Sequence, residues 1–444
     1  MDISTILELT AMGWKAGYAE IDITPTYPMA MSGFGRPRAA TKALDPLQAQ
    51  AIALQDASGN RFVVVTADIM AFDRTSVAAM RERLAQAHDL PPEAVTFAAS
   101  HTHWGPHTVY HVSFTAGGFD PWYVGALEDR IVAIVENALA DLSPATVQYH
   151  SFDAQIGANR RSFDHTGNQL WLPNLDGFYD THTPLLRVLR AGHAVAEEVV
   201  LLSHACHPTS TGRAHDMWSA DYPGHLRRAL RRRRGGQSRC MFAMGCGADA
   251  KVTYQPPTGE LVFASSPRES RLAGQKLARD VDKALTSATP IDLPPSLAVR
   301  SHTGTLTFAR HWSTKRLHQL AYHSAPANAD RWWARQQIAF PDHRAALPYE
   351  VQAVTLGGTL TLITLEGEVC SPLGPLARGL SRTEHSMVIA YANAVEGYIP
   401  SKRILKEGGY EGESSHRAYF LPATFTKEIE KEFLATVGRA IRGK

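Results

Sequence analysis

The stretch Ala94–His107, AVTFAASHTHWGPH, changes character halfway along and so decides how the chain is read. Its first six residues are apolar or β-branched, with no glycine, proline or charge. That is the pattern of a short strand buried on both faces. Its last eight are polar and rich in rings. The same sequence of events recurs: RFVVVT from Arg61, VVLLS from Val199, CMFAM from Cys240, LTLITL from Leu360 and MVIAY from Met387 all read as buried strands. Helical patterns fall between them, at 73–88, 124–142, 222–234, 267–285 and 373–380. Alternating strand and helix predict an α/β fold, a mixed β-sheet core flanked by helices.

Composition narrows the possibilities. The chain has 444 residues, 44% hydrophobic and 20% charged, which supplies a full core and excludes a disordered or fibrous chain. A formal net charge of +2 is too small to demand nucleic acid or an anionic membrane as partner. The basic run RRALRRRR at 227–234 reads as a solvated helix face. Cys206, Cys240, Cys246 and Cys370 form no CxxC pair and read as reduced thiols. The first twenty residues lack the basic start and long apolar run of a secretory leader, so a cytoplasmic location is expected. With neither repeats nor a long linker, residues 12–444 read as one domain, and 311–347 as a helical insertion. The expected partner is a small-molecule or oligomeric polar substrate; oligomeric state is not legible.

The chemistry collects just after the strands: SHTHWGPH (100–107), HACHPTS (204–210), GCGAD (245–249), EGE (366–368) and NAVEGY (393–398). In open α/β sheets, ligands bind beyond the carboxyl ends of strands, where loops converge. His101 and His103 are two residues apart, which in extended backbone turns both rings to one face, a metal ligand beside a proton-transfer group. Twenty histidines in all point the same way. Asp164, His165, Trp171, Tyr179, His182, Arg213, His215 and Trp218 lie in loops near these motifs.

Several blocks together resemble the neutral ceramidases and their relatives: GYAEIDITP (17–25), SGFGR (32–36), HTHWGP (101–106), NR (159–160), HPTS (207–210), SADYPG (219–224), GYIP (397–400) and YEG (410–412). The likeness runs over about residues 12–425. It implies a catalytic Zn²⁺ held by His101, His207, Glu368 and Tyr398, with Arg160, His103 and Tyr410 around a scissile carbonyl. Zinc accepts such N and O ligands and lowers the pKa of water toward about 7.

Two departures limit the transfer. Where the family carries its proposed nucleophilic serine, this chain has Lys251, in ADAKVT (248–253), after a retained Asp249. A protonated amine does not replace an alkoxide, which leaves metal-activated water, an anion-binding role for Lys251, or Cys246 as nucleophile, in that order. The chain also ends about thirty residues past Tyr410, so the family's C-terminal β-sandwich domain is expected to be missing. The leading expectation is a zinc-dependent hydrolase cleaving an amide or ester bond in a soluble polar substrate, with Asp249 or His103 moving the proton and Arg160 and Tyr410 facing the oxyanion. Two alternatives stay open: a metal-dependent glycoside hydrolase or lyase acting on an acidic sugar, with Trp104 stacking on the ring, and a non-catalytic zinc-binding protein.

Overall fold

The computed structural model describes residues 13–36, 38–112, 118–191, 197–213, 216–257, 259–323 and 328–443. Two β-sheets lie face to face with helices on both outer sides. The large sheet is built from β1 (Trp14–Asp22), β2 (Gln48–Gln55), β3 (Arg61–Ala67), β4 (Val95–Ala99), β5 (Ser143–Asp153), β7 (His182–Arg190), β8 (Glu197–His204) and β9 (Ser238–Met244), β6 (Gly157–Asn159) lying outside it. Its order is β9-β8-β7-β5-β1-β2-β3-β4, and Ile291–Asp292 adds a short edge to β5. The interior pairs are antiparallel; β3 with β4 and β8 with β9, at opposite ends, are parallel. After β10 (Ala250–Tyr254), which pairs with β6, the second sheet runs β11 (Leu297–Thr307), β12 (Ala346–Leu356), β13 (Leu360–Leu365) and β15 (His385–Ile389), with β13 parallel to β15.

The layers follow from what each strand buries. Val64, Leu186, Leu201 and Met241 from the large sheet meet Val354, Leu362, Met387 and Ile389 from the second, forming a dry seam between them. On the outer face of β1 to β4, Ala51, Val65 and Phe97 pack against α1 (Arg74–His88) and α2 (Pro121–Ala140). Beneath β8 and β9, Val200, Leu202 and Phe242 meet α3 (Asp221–Arg233) and α4 (Pro267–Ser287). Helix α6 (Ile429–Arg442), after α5 (Asn328–Ala339), covers the second sheet through Phe433 and Val437.

All six expected strands and all five expected helices are present. Helix α2 starts three residues earlier than its apolar period suggests. The Asp120 carboxylate caps the Trp122 and Tyr123 amides, and Pro121 occupies the first turn. The basic run on α3 meets expectation in part, with Arg231, Arg232 and Arg233 exposed. Arg227 is buried and forks onto Asp68, Arg233 pairs with Asp282, and Arg234 with Glu198, so much of its charge is neutralised within the fold. The segment from 311 to 347 contains helices Thr314–His318 and α5; on α5, the Trp333 indole donates to Leu421 O at 3.0 Å. All four cysteines are free and buried. Among the described residues no helix is long and apolar enough to cross a membrane.

Gly17 on β1 fixes how closely α2 docks. A Cβ there would lie 1.8 Å from the carbonyl oxygen of Ala138, an atom of helix backbone that cannot rotate away. Gly17→Ala is expected to cost about 3 kcal/mol, the upper end for overpacking, and to lower the thermal midpoint; an unchanged midpoint would contradict this docking.

Candidate metal centre

The chain emerging from β4 turns sharply at His101, whose φ of 63° lies in the left-handed region. This is uncommon for a residue with a side chain. It is held by His101 N–H donating to Ile69 O at 3.0 Å and by the ring Nδ1 bonding Met70 O at 2.6 Å. The second bond orients the ring and turns Nε2 toward Glu368, 3.3 Å away. The His101–His103 relation is therefore a turn rather than the extended backbone expected. His103 still reaches the same place, because Gly33 lets its ring pass: a Cβ on Gly33 would sit 2.2 Å from His103 Nδ1.

His207 follows β8 in the same manner. Its Nδ1 lies 3.2 Å from Gly247 O, and Nε2 has no hydrogen-bond partner among the described residues. Candidate ligand atoms of His101, His103 and His207 all lie within 4.8 Å of one another. Glu368 comes from β14 (Glu368–Val369), whose parallel partner is β16 (Tyr398–Ile399), so Glu368 and Tyr398 are in register. Glu368 Oε2 lies 3.3 Å from His101 Nε2 and 3.2 Å from His207 Nε2. Its Oε1 accepts a hydrogen bond from the Tyr419 hydroxyl, and Tyr391 OH lies 3.4 Å from Oε2.

These groups fit a divalent cation. Burial alone would raise the Glu368 carboxyl, but His101 and His207 overcome that and hold it well below the usual range, so it is an anion. Burial, with Arg160 nearby, pushes His207 down to about 4, so its ring is neutral near pH 7. A buried carboxylate between imidazole nitrogens is stabilised by positive charge, which a divalent cation among these N and O donors would supply. The residues present supply N and O donors of the type that a metal takes.

Around this cluster lies a ring of fixed partners. The Arg160 Nη2 donates to Tyr398 OH at 3.1 Å, and its Nε to Glu411 Oε1 at 2.8 Å. Arg161 grips the other Glu411 oxygen. The Tyr398 and Tyr410 rings are 5.2 Å apart, and Trp171 lies over Arg160 and against Tyr410. His103, Glu368, Tyr398, Tyr410 and Tyr419 line a cavity of about 120 Å³, closed on its apolar side by Phe34, Met70 and Val112. Pockets enclosing a whole organic ligand measure roughly 300–1,000 Å³. This one is smaller than that range.

The other expected residues are placed differently. Asp249 accepts from Ser371 N and Oγ, each at 2.6 Å, and from Asn159 Nδ2 at 3.0 Å. Both its oxygens are thus committed to tying together the loops beside β6, β10 and β14. Lys251 on β10 is bridged in parallel to His207. Cys246 is buried in the core, where burial pushes its thiol up, which disfavours a nucleophilic thiolate. Trp104 is 0% exposed and packs in the core with Trp218, so it offers no face to a sugar ring; this corrects the stacking role considered for it. Tyr179 bonds His204, and the Asp164 carboxylate closes its own turn onto Thr166 and Asn168. The His182 side chain is half-buried on β7, His165 is exposed, and His215 lies outside the described residues. Tyr391, Tyr419 and Glu411 were not anticipated. Glu411 adjoins Tyr410 in the YEG block, whereas the two tyrosines sit in stretches that read as core.

Comparison with known proteins bears on the family and the fold. The profile of the neutral/alkaline non-lysosomal ceramidase N-terminal region matches residues 14–242, a span that includes His101, Arg160 and His207. The neutral ceramidase of Pseudomonas aeruginosa is 29% identical over 224 residues, 48% of this chain and 32% of that protein. That of Mycobacterium tuberculosis is 32% identical over 136 residues, 28% of this chain and 20% of that protein. The aligned stretches thus span about a third or less of those relatives. In fold, the crystal structure of neutral ceramidase from Pseudomonas aeruginosa matches with a TM-score of 0.76 at 18% identity, covering 97% of this chain and 75% of that one. A ceramidase complexed with C2 matches at 0.74 and 17%, with the same coverage. By sequence profile over half its length, the chain belongs to the neutral/alkaline non-lysosomal ceramidase family.

Proposed function

We propose that this protein is a zinc-dependent hydrolase that cleaves an amide or ester bond in a soluble polar substrate. The observation that carries the reading is the buried Glu368 carboxylate within 3.3 Å of both His101 and His207, at the wall of a cavity shared with Tyr398 and Tyr410. His101, His207, Glu368 and Tyr398 would hold the ion. Bound there, Zn²⁺ supplies a Lewis acid that polarises a carbonyl and lowers the pKa of water toward about 7.

The chain's own groups then have distinct tasks. His103 is half-buried, desolvation of its ring keeps it neutral, and neither ring nitrogen has a partner among the described residues. It is free to take a proton from attacking water and return it to the leaving nitrogen or oxygen. Asp249, with both oxygens occupied, is a poorer candidate for that transfer. Tyr410 keeps its proton because burial pushes its hydroxyl up, so it donates to a developing oxyanion. Arg160 is a permanent cation held by Glu411; it steadies the Tyr398 oxygen and adds positive charge on the same side. The acidic-sugar reading loses its stacking residue with Trp104 in the core.

His207→Ala is expected to abolish both stoichiometric zinc, measured by elemental analysis, and turnover of acylamides and esters, while far-UV circular dichroism is retained. A fully active variant with one zinc per chain would refute the ligand set. Tyr410→Phe should keep its zinc and lose kcat by roughly 100-fold, the usual scale for one oxyanion donor. Undiminished kcat would remove Tyr410 from that role.

A further inference from the structure

Beside the metal centre lies a group of cations that the proposed hydrolysis does not use. Lys251 pairs with His207 across a parallel bridge, so the two side chains leave their backbones on the same side. Its Nζ rests over the Phe263 ring at 5.2 Å. Arg213 lies over Phe34, 4.4 Å from the ring centroid, and the same ring touches His103 at 4.6 Å. Arg36 packs on Phe34 and Trp104 and donates to His103 O at 2.6 Å. Its Nε and Nη2 are buried without partners among the described residues.

What these cations lack is counter-charge. Arg160 and Arg161, by contrast, share the buried Glu411. Among the described residues, no carboxylate stands within ion-pair distance of Lys251 or Arg213. Asp221, the acid facing Lys251, is bonded to the amides and hydroxyls of Ser210 and Thr211. Asp216 approaches Arg38 at 3.9 Å. An incoming anion would supply the missing counter-charge.

We propose that Lys251 and Arg213 form an anion subsite next to the metal centre, which selects acyl substrates carrying an oxyanion group, carboxylate or phosphate, on the leaving portion. The small cavity is consistent with this: Phe34, over which Arg213 lies, is part of its wall, and the rest of a substrate would extend beyond it. The inference deepens the hydrolase reading and rests on it.

The test compares matched pairs: N-butyrylglycine against its carboxamide, and N-butyrylethanolamine phosphate against N-butyrylethanolamine. The zinc-loaded protein should show kcat/KM at least tenfold higher for the charged member of one pair, and the pair that responds tells carboxylate from phosphate. In Lys251→Met and Arg213→Met that ratio should fall at least tenfold. A ratio near one in the wild type, or an undiminished ratio in both variants, overturns the subsite. Reading a ratio within each variant separates charge recognition from general damage. If no compound is cleaved, the hydrolase reading fails, and calorimetric titration with the same four compounds still decides the subsite. Tighter binding of a charged member, lost in Lys251→Met, supports it; equal binding overturns it.

Discussion

A carboxylate sealed in the interior opposite two imidazole nitrogens governs the architecture of this protein. Glu368 is almost wholly buried, and its nearest neighbours are imidazole rings whose other nitrogens already face carbonyl oxygens. An isolated buried ion is costly, several kcal/mol even after relaxation, so it persists only where surrounding groups favour it. Tyr419 and Tyr391 donate toward it, and Met70 and Gly247 orient the histidines from behind. The outer partners thus prepare the site before any ion arrives, which is the usual role of groups that do not themselves coordinate.

The topology serves the same end. Parallel strands sit at both edges of the large sheet and in the second sheet, and within each such pair the two carboxyl ends lie side by side. The segment leaving β15 stitches these ends together. Ala390 N donates to Met244 O at 2.8 Å beside β9, while Asn393 N donates to Phe97 O at 2.6 Å on β4. Tyr391 and Asn393 adopt left-handed backbone to make that crossing, and Tyr391 thereby reaches Glu368 and His207.

Much of this was legible in the sequence. Fully buried strands announce themselves by continuous apolar runs, and β3, β4, β8, β9, β13 and β15 are of that kind, as are the polar loops after several of them. The strands that went unread, among them β1, β5 and β11, carry Lys15, Gln148 and Arg300 between apolar residues and are only partly buried. Helix α6 likewise alternates charge and core residues. Within the site, motif residues came to light because they are polar where polarity is rare. Tyr391 and Tyr419 did not, since a buried tyrosine looks like core until its hydroxyl partner is known. Asp249 is the reverse case: a retained acid next to the histidine loops reads as chemical, and the structure gives it hydrogen bonds that also crosslink those loops.

The placement of the four proposed ligands has a consequence for biogenesis. His101 and Tyr398 are separated by nearly three hundred residues, and the donors come from the loops after β4 and β8 and from the β14–β16 pair. No nascent fragment holds a complete set, so the ion cannot act as a nucleation point in the way that a local zinc knuckle does. Closing such distant loops is entropically slow, and the metal would therefore enter a polypeptide that has already finished assembling itself.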